Sequence, residues 1–199
     1  GTVNGPDGSP YSTRDGSPAL LEDLVSDAVA RASEGLSDDP GGVTARMMAV
    51  AALKFADLST DRRSGYVFDA ERMMSFTGRT GPYVQYAVVR VRSLLAKAAD
   101  DGGVLPGDIS VADPADRALA LEVLGLPAAV LRAAEELQPK HVCDSAYGIA
   151  SALSRLYADA DILRAPPDVR AGRLALVRWA GDALVTALDL LGIEAPERM

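Results

Sequence analysis

Two tyrosines and two cations recur through "GRTGPYVQYAVVRVRSLLAKA", residues 78–98, at spacings that a helix gathers onto one face. On a wheel of 100° per residue, Tyr86, Arg90, Leu94 and Lys97 fall within about 60° of Tyr83. Val84, Val88, Val91 and Leu95 collect on another face, centred about 110° away. The helix therefore has an apolar stripe for a core and, separately, a face of two phenol rings with an arginine and a lysine. Such a set suits unpaired RNA, because aromatic planes stack exposed bases while Arg and Lys hold phosphates or stack in turn. The same spacing also allows both rings to pack under a neighbouring helix with their hydroxyls at its edge. A second observation bears on the choice: from Arg72 through Ala99 there is no Asp or Glu, yet Arg72, Arg79, Arg90, Arg92 and Lys97 are basic. Solvated helix faces usually mix both signs.

No other group of residues offers comparable chemistry. His141 is the only histidine and follows Pro139 at a helix start, where it reads as a capping or surface residue. With one histidine and no motif, no Ser/His/Asp relay can be argued. Cys143 is the only cysteine, which excludes an internal disulfide and a cysteine-based metal site. The pairs Met47–Met48 and Met73–Met74 read as core filler, and Trp179 as packed against the helices around it. The acidic loops lack metal-ligand spacing, and "GPDGSP" lacks the Lys-Ser/Thr ending of a phosphate-binding loop. The sequence thus predicts no catalytic residue and no metal site.

The chain is 199 residues long, 48% apolar and 24% charged, a composition able to build one full-sized core. No apolar run reaches the roughly 18–20 residues that a membrane span needs. A net charge of −8 argues against nonspecific coating of DNA or other nucleic acid, though it leaves room for a local basic patch. A cytoplasmic protein with no membrane partner is expected. The chain opens at Gly1 without methionine, which suggests a piece of something longer. Helical spacing begins after Pro18 with Leu20, Leu21, Leu24, Val25, Ala28 and Val29, and "SDDPGG" (37–42) forms a loop. A helix follows from Val43 to Leu58, with Met47, Val50, Ala51, Lys54 and Phe55 on its inner side. "STDRRSGYVFD" connects it to a short turn at "AERMMSF". The tyrosine helix starts near Pro82, with Thr80 able to cap it, and residues 100–108 break the chain. Helices are expected over 113–124, over 127–137 beginning at Pro127, over 139–158, and over 167–191 with Gly192 as its stop. The fold class is all-α: a helical bundle with a Gly/Pro-rich N-terminal appendage.

Several stretches, in order and at matching spacing, resemble the C-terminal portion of class I arginyl-tRNA synthetases. They are "ALKFADLSTDR" (52–62), "YVFDAERMMSF" (66–76), "TGPYVQYAVVRVRS" (80–93), "LSRLYADADIL" (153–163), "RLALV" (173–177) and "ALDLLGIEAPERM" (187–199). The resemblance implies a helical anticodon-binding domain of the DALR type over 43–199. It also implies that 1–42 is the end of a catalytic region, a signature-loop remnant plus a connecting helix. The implied partner is tRNA, in particular arginine tRNA, and the family is usually monomeric. By motif, Tyr83, Tyr86 and Arg90 match the family's Pro-Tyr-x-Gln-Tyr-Ala-x-x-Arg anticodon contacts, and Tyr157 and Met199 match further positions lining the same pocket. Arg79 and Lys97 join them as backbone contacts.

"DGSPYSTRDG" (7–16) is similar to the family's second signature loop, which helps bind ATP. Thr13, Arg14 and Gly16 remain, whereas Ser9 and Ser12 replace the two lysines. The first signature, His-x-Gly-His, cannot exist in a chain with one histidine. The resemblance therefore implies that ATP and Mg belong to the parent enzyme, that this chain needs no cofactor, and that alone it does not aminoacylate. Thr77-Gly78-Arg79 replaces an acidic-Gly-Asn run, Gly81 stands where the family prefers another residue, and Ala70 replaces a tryptophan. These departures keep a second reading open: a standalone, non-catalytic paralogue or interaction module that retained the helical domain.

Overall fold

A threonine, a glycine and a proline start the helix that carries the tyrosines. Thr80 Oγ1 accepts the Tyr83 N–H at 3.2 Å, and its own hydroxyl donates to the Ser75 carbonyl at 2.5 Å. One side chain thus caps the helix and anchors the preceding turn. Pro82 follows within the first turn, where no intrahelical hydrogen bond is lost. The computed structural model describes residues 1–5, 8–9, 21–34, 36, 39–100 and 108–199. In chain order these form β1 (Val3–Asn4), α1 (Leu21–Glu34), α2 (Val43–Leu58), β2 (Tyr66–Val67), α3 (Ala70–Met73), α4 (Gly81–Asp100), α5 (Pro114–Glu136), α6 (Lys140–Asp159) and α7 (Pro167–Leu190), with a 3₁₀ turn at Pro40–Gly42. The fold is all-α. Its one sheet among the described residues is a parallel pair, Val3 opposite Tyr66 and Asn4 opposite Val67, inside the segment that reads from sequence as a plain connection.

The main core lies among α4, α5, α6 and α7, closed on one side by Ala51 and Phe55 of α2. Its centre is aliphatic and fully buried: Leu119, Ile149, Leu153, Leu156, Leu174, Leu176 and Leu184. Two smaller clusters flank α2. One is Ala32, Ala45 and Met48, and the other is Ala52, Phe68 and Met73. The chain beyond α7 turns at Gly192, whose φ of +64° favours glycine, and folds back along α4. There Gln85 Nε2 donates to the Glu194 carbonyl at 2.5 Å and to the Met47 carbonyl at 3.2 Å. Arg92 Nη1 donates to the Pro196 carbonyl at 2.8 Å. Among the described residues no helix is long and apolar enough to cross a membrane.

Three sequence expectations are corrected. Pro127 does not begin a new helix; it lies inside a continuous α5. A proline there removes one hydrogen bond and crowds the carbonyl a turn earlier, at about 3 kcal/mol in a helix interior. Here the ring faces solvent, while Leu119, Val123 and Leu126 before it and Val130 and Ala133 after it share one apolar stripe against the core. Keeping that stripe in register favours a straight-through helix over a break. On α2 the buried side is Ala45, Met48, Ala49, Ala51, Ala52 and Phe55; Ala51 and Phe55 are as expected, whereas Met47, Val50 and Lys54 are not buried. That helix is covered by α1 on one flank and α4 on another, and small alanines admit both. His141, expected as a capping or surface residue, is half-buried: its side chain is 13% exposed, and its Nε2 meets Glu136 Oε2 at 2.7 Å, joining the end of α5 to the start of α6. Thr13 and Arg14 lie outside the described residues.

Candidate nucleic-acid interface

The face singled out on α4 splits in two when α6 docks against it. Tyr83 is half-buried. Its hydroxyl donates to Ser154 Oγ at 3.2 Å and its ring lies 5.7 Å from that of Tyr147, both on α6. Packing under a neighbouring helix thus holds for this tyrosine. One turn further on, Tyr86 is 40% exposed. The Arg90 guanidinium carbon sits 5.8 Å from the Tyr86 ring centroid and 4.4 Å from that of Tyr157, which α6 brings across from the other side. A planar cation between two aromatic faces is a stacked arrangement in which each member holds the next.

Phe76 extends the series. It is 44% exposed in the turn before α4 and meets Tyr86 edge to face, with centroids 6.0 Å apart. Sequence reading missed it. The available signal was an aromatic residue inside the acid-free run, flanked by Ser, Thr and Gly rather than by helical spacing. Phe76, Tyr86, Arg90 and Tyr157 form a ladder of flat groups whose Phe76–Tyr86 end is exposed and whose Arg90–Tyr157 end is half-buried.

Beside the ladder is a groove of about 420 Å³, walled by Arg90, Leu94, Tyr157 and the 158–163 turn with Asp159 and Asp161. The two carboxylates disfavour phosphate there and are the type of group that accepts hydrogen bonds from amino groups, although Asp161 also pairs with Arg164. Burial raises the Tyr157 phenol to about 12, partly opposed by the nearby Arg90 cation, and its hydroxyl has no hydrogen-bond partner among the described residues. The ring is therefore a neutral platform. A larger concavity, about 720 Å³, opens on the other side of the 75–80 turn, between the end of α2 and α3, with Arg72 and Arg79 on its wall.

The remaining candidates are dispersed. Arg79 is ion-paired with Asp144 of α6 and donates to the Ser59 carbonyl at 3.3 Å. Lys97 is exposed near the far end of α4. Met199 packs on the Ala32–Ala45–Met48 cluster with Val29, Leu36 and Met74, while the other matched positions sit on α4 and α6. Cys143 is fully buried and its thiol is pushed up to about 12 by that burial, so it is no nucleophile.

These features occur in a chain with clear relatives. It is 45% identical over 209 residues to the arginine–tRNA ligase of Hyphomonas neptunium, aligned over all of this chain and 35% of that protein. It is 43% identical over 207 residues to the arginine–tRNA ligase of Frankia casuarinae, with the same coverage. The fold superposes on Thermus thermophilus arginyl-tRNA synthetase with a TM-score of 0.84 at 33% identity, over 100% of this chain and 34% of that one. The chain thus spans about a third of the length of the curated relatives it matches. Residues 84–199, more than half of the chain and including α4 through its C-terminal tail, match the DALR anticodon binding domain, and the chain belongs to that family.

Proposed function

We propose that this chain reads the anticodon loop of arginine tRNA and supplies recognition, not chemistry, to an arginine–tRNA ligase of which it is a part. The single observation that carries the reading is the ladder of exposed Tyr86 and half-buried Arg90 and Tyr157 in a member of this family. Unpaired anticodon bases would stack on Tyr86 and on the Arg90–Tyr157 pair, with their amino edges toward Asp159 and Asp161. Tyr83, through its bond to Ser154, sets the height of the ladder as well as lining it. Met199 contributes a more distant wall, and Lys97 and the exposed part of Arg79 steer the RNA backbone. The parent enzyme would attach arginine to its tRNA in the cytoplasm, using ATP and Mg held by parts outside this chain. Within the chain, 1–42 is assigned to the end of the preceding catalytic region and 43–199 to the reading domain, although α1 packs on α2.

The test is a fluorescence anisotropy titration of the chain with an arginine tRNA anticodon stem-loop and with an unrelated stem-loop. Tighter binding to the first is expected. Tyr86→Ala and Arg90→Ala should each weaken it by about 1–3 kcal/mol. Lys97→Ala should flatten the salt dependence by about 0.7 in log–log slope. Equal affinity for both RNAs, or indifference to Tyr86→Ala, would sink the proposal.

A further inference from the structure

The core side of α5 is formed by Leu119, Val123 and Leu126. On its opposite side Leu121, Leu124 and Leu131 stand 49%, 62% and 65% exposed, with exposed Ala128 between the last two. Their spacing of three, four and three is the seam of a two-helix coil. On a helical wheel the four fall within an arc of about 80°, diametrically opposite the core. They are therefore a second apolar face and not the rim of the first.

Two charges close that face. Arg117, one turn before Leu121, and Glu135, one turn after Leu131, lie on the same arc; both are exposed and make no ion pair among the described residues. An antiparallel copy of the stripe, related by a twofold axis level with Leu126, sets Leu121 against the partner's Leu131 and Leu124 against the partner's Ala128. The same register sets Arg117 against the partner's Glu135, and symmetry repeats each pair. A parallel copy would set Arg117 on the partner's Arg117. Gly125, beside the stripe, has open space where a side chain would be, and with Ala128 it admits close approach of two backbones.

We propose that this face of α5 binds a second copy of the chain, forming a weak antiparallel twofold dimer. The leucines alone would fit many partners; the charge inversion about the midpoint of the stripe is what selects another copy of itself. One helix pair buries less than a standard interface, so the dimer belongs in the micromolar range or weaker. The proposal departs from the monomer that the family resemblance implies. It does not depend on the RNA reading, because the aromatic ladder is built on α4 and α6.

Sedimentation equilibrium of the 199-residue chain, from about 10 to about 500 µM, tests it. A reversible monomer–dimer equilibrium is expected. Leu124→Glu should raise its Kd by more than about tenfold with an unchanged far-UV spectrum and melt, since that side chain is largely in solvent. Arg117→Glu and Glu135→Arg should each weaken the dimer, because each turns two attractive pairs into two repulsive ones. The doubly exchanged variant should return close to the original Kd. Both exchanges suit the helix dipole, so folding is not at stake. A chain that stays monomeric throughout, a dimer indifferent to Leu124→Glu, or a double exchange no tighter than the singles would each overturn the proposal.

Discussion

The Arg90 guanidinium carbon lies 4.4 Å from the Tyr157 ring centroid and 5.8 Å from that of Tyr86, so Tyr157 holds it more closely. Of its two neighbours, Tyr157 is the more constrained. Burial disfavours the phenolate and raises its pKa to about 12, against an ordinary value near 10. The neutral phenol's contribution to stability is intact below about pH 10, the unfolded value, and is lost as pH rises through about 12; that loss is on the order of 2–3 kcal/mol. Absorbance titration of the six tyrosines should therefore show one group ionising near pH 12, absent in Tyr157→Phe. Because the hydroxyl has no partner, the phenylalanine variant should be as stable as the wild type at pH 7, or up to about 1 kcal/mol more stable. It should still stack RNA, since the ring is what remains.

At the scale of elements, α4 is held against α2 by a backbone approach that only glycine permits. A methyl group added at Gly81 would collide with the Ala51 carbonyl of α2. Arg79, a departure from the family pattern, is accommodated by Asp144 across the gap to α6. Gly81→Ala should cost about 1–3 kcal/mol, read as a lower midpoint in urea. It should also weaken RNA binding more than stability alone explains, because it moves the start of the helix that carries Tyr86. The Thr80 cap, Pro82 and the valine stripe of α4 were legible in the sequence because each acts on residues within a turn or two. The continuity of α5 through Pro127 was not, since it depends on a stripe that only α6 and α7 complete.

At the scale of the molecule, a buried ionic network ties α5 to α7. Asp116, fully buried, accepts Arg173 Nε at 3.0 Å and the N–H groups of Ala112 and Asp113 at 3.1 and 3.0 Å. Arg173 also pairs with Asp113. Removing Asp116 leaves the buried Arg173 with only the half-exposed Asp113 as partner and frees the N–H groups of Ala112 and Asp113, which costs up to about 3–5 kcal/mol, whereas replacing both buried ions by apolar groups costs far less. Asp116→Leu should therefore lower the melting temperature strongly, and Asp116→Leu combined with Arg173→Met should recover much of the loss in calorimetry. A double variant as unstable as the sum of the singles would contradict this account. The network lies in α5 and α7, away from the ladder on α4 and α6, so the recovered variant should bind RNA as the wild type does.

The sequence by itself determined the helix over 43–58 and the one that starts near Pro82, the division of α4 into a valine side and a Tyr/Arg side, and the family. All three rest on residue types and on periodicities that neighbours along the chain set. Tertiary structure alone decided which tyrosine is free, what Arg79 pairs with and where Met199 rests. Tyr83 is held by a residue 71 positions away, and the C-terminal tail by a glutamine 109 positions away. Hydrogen bonds over such separations leave no trace in local spacing. The acid-free run from Arg72 to Ala99 was visible in the sequence; only the docking of α6 turned Arg90 into the centre of a stack.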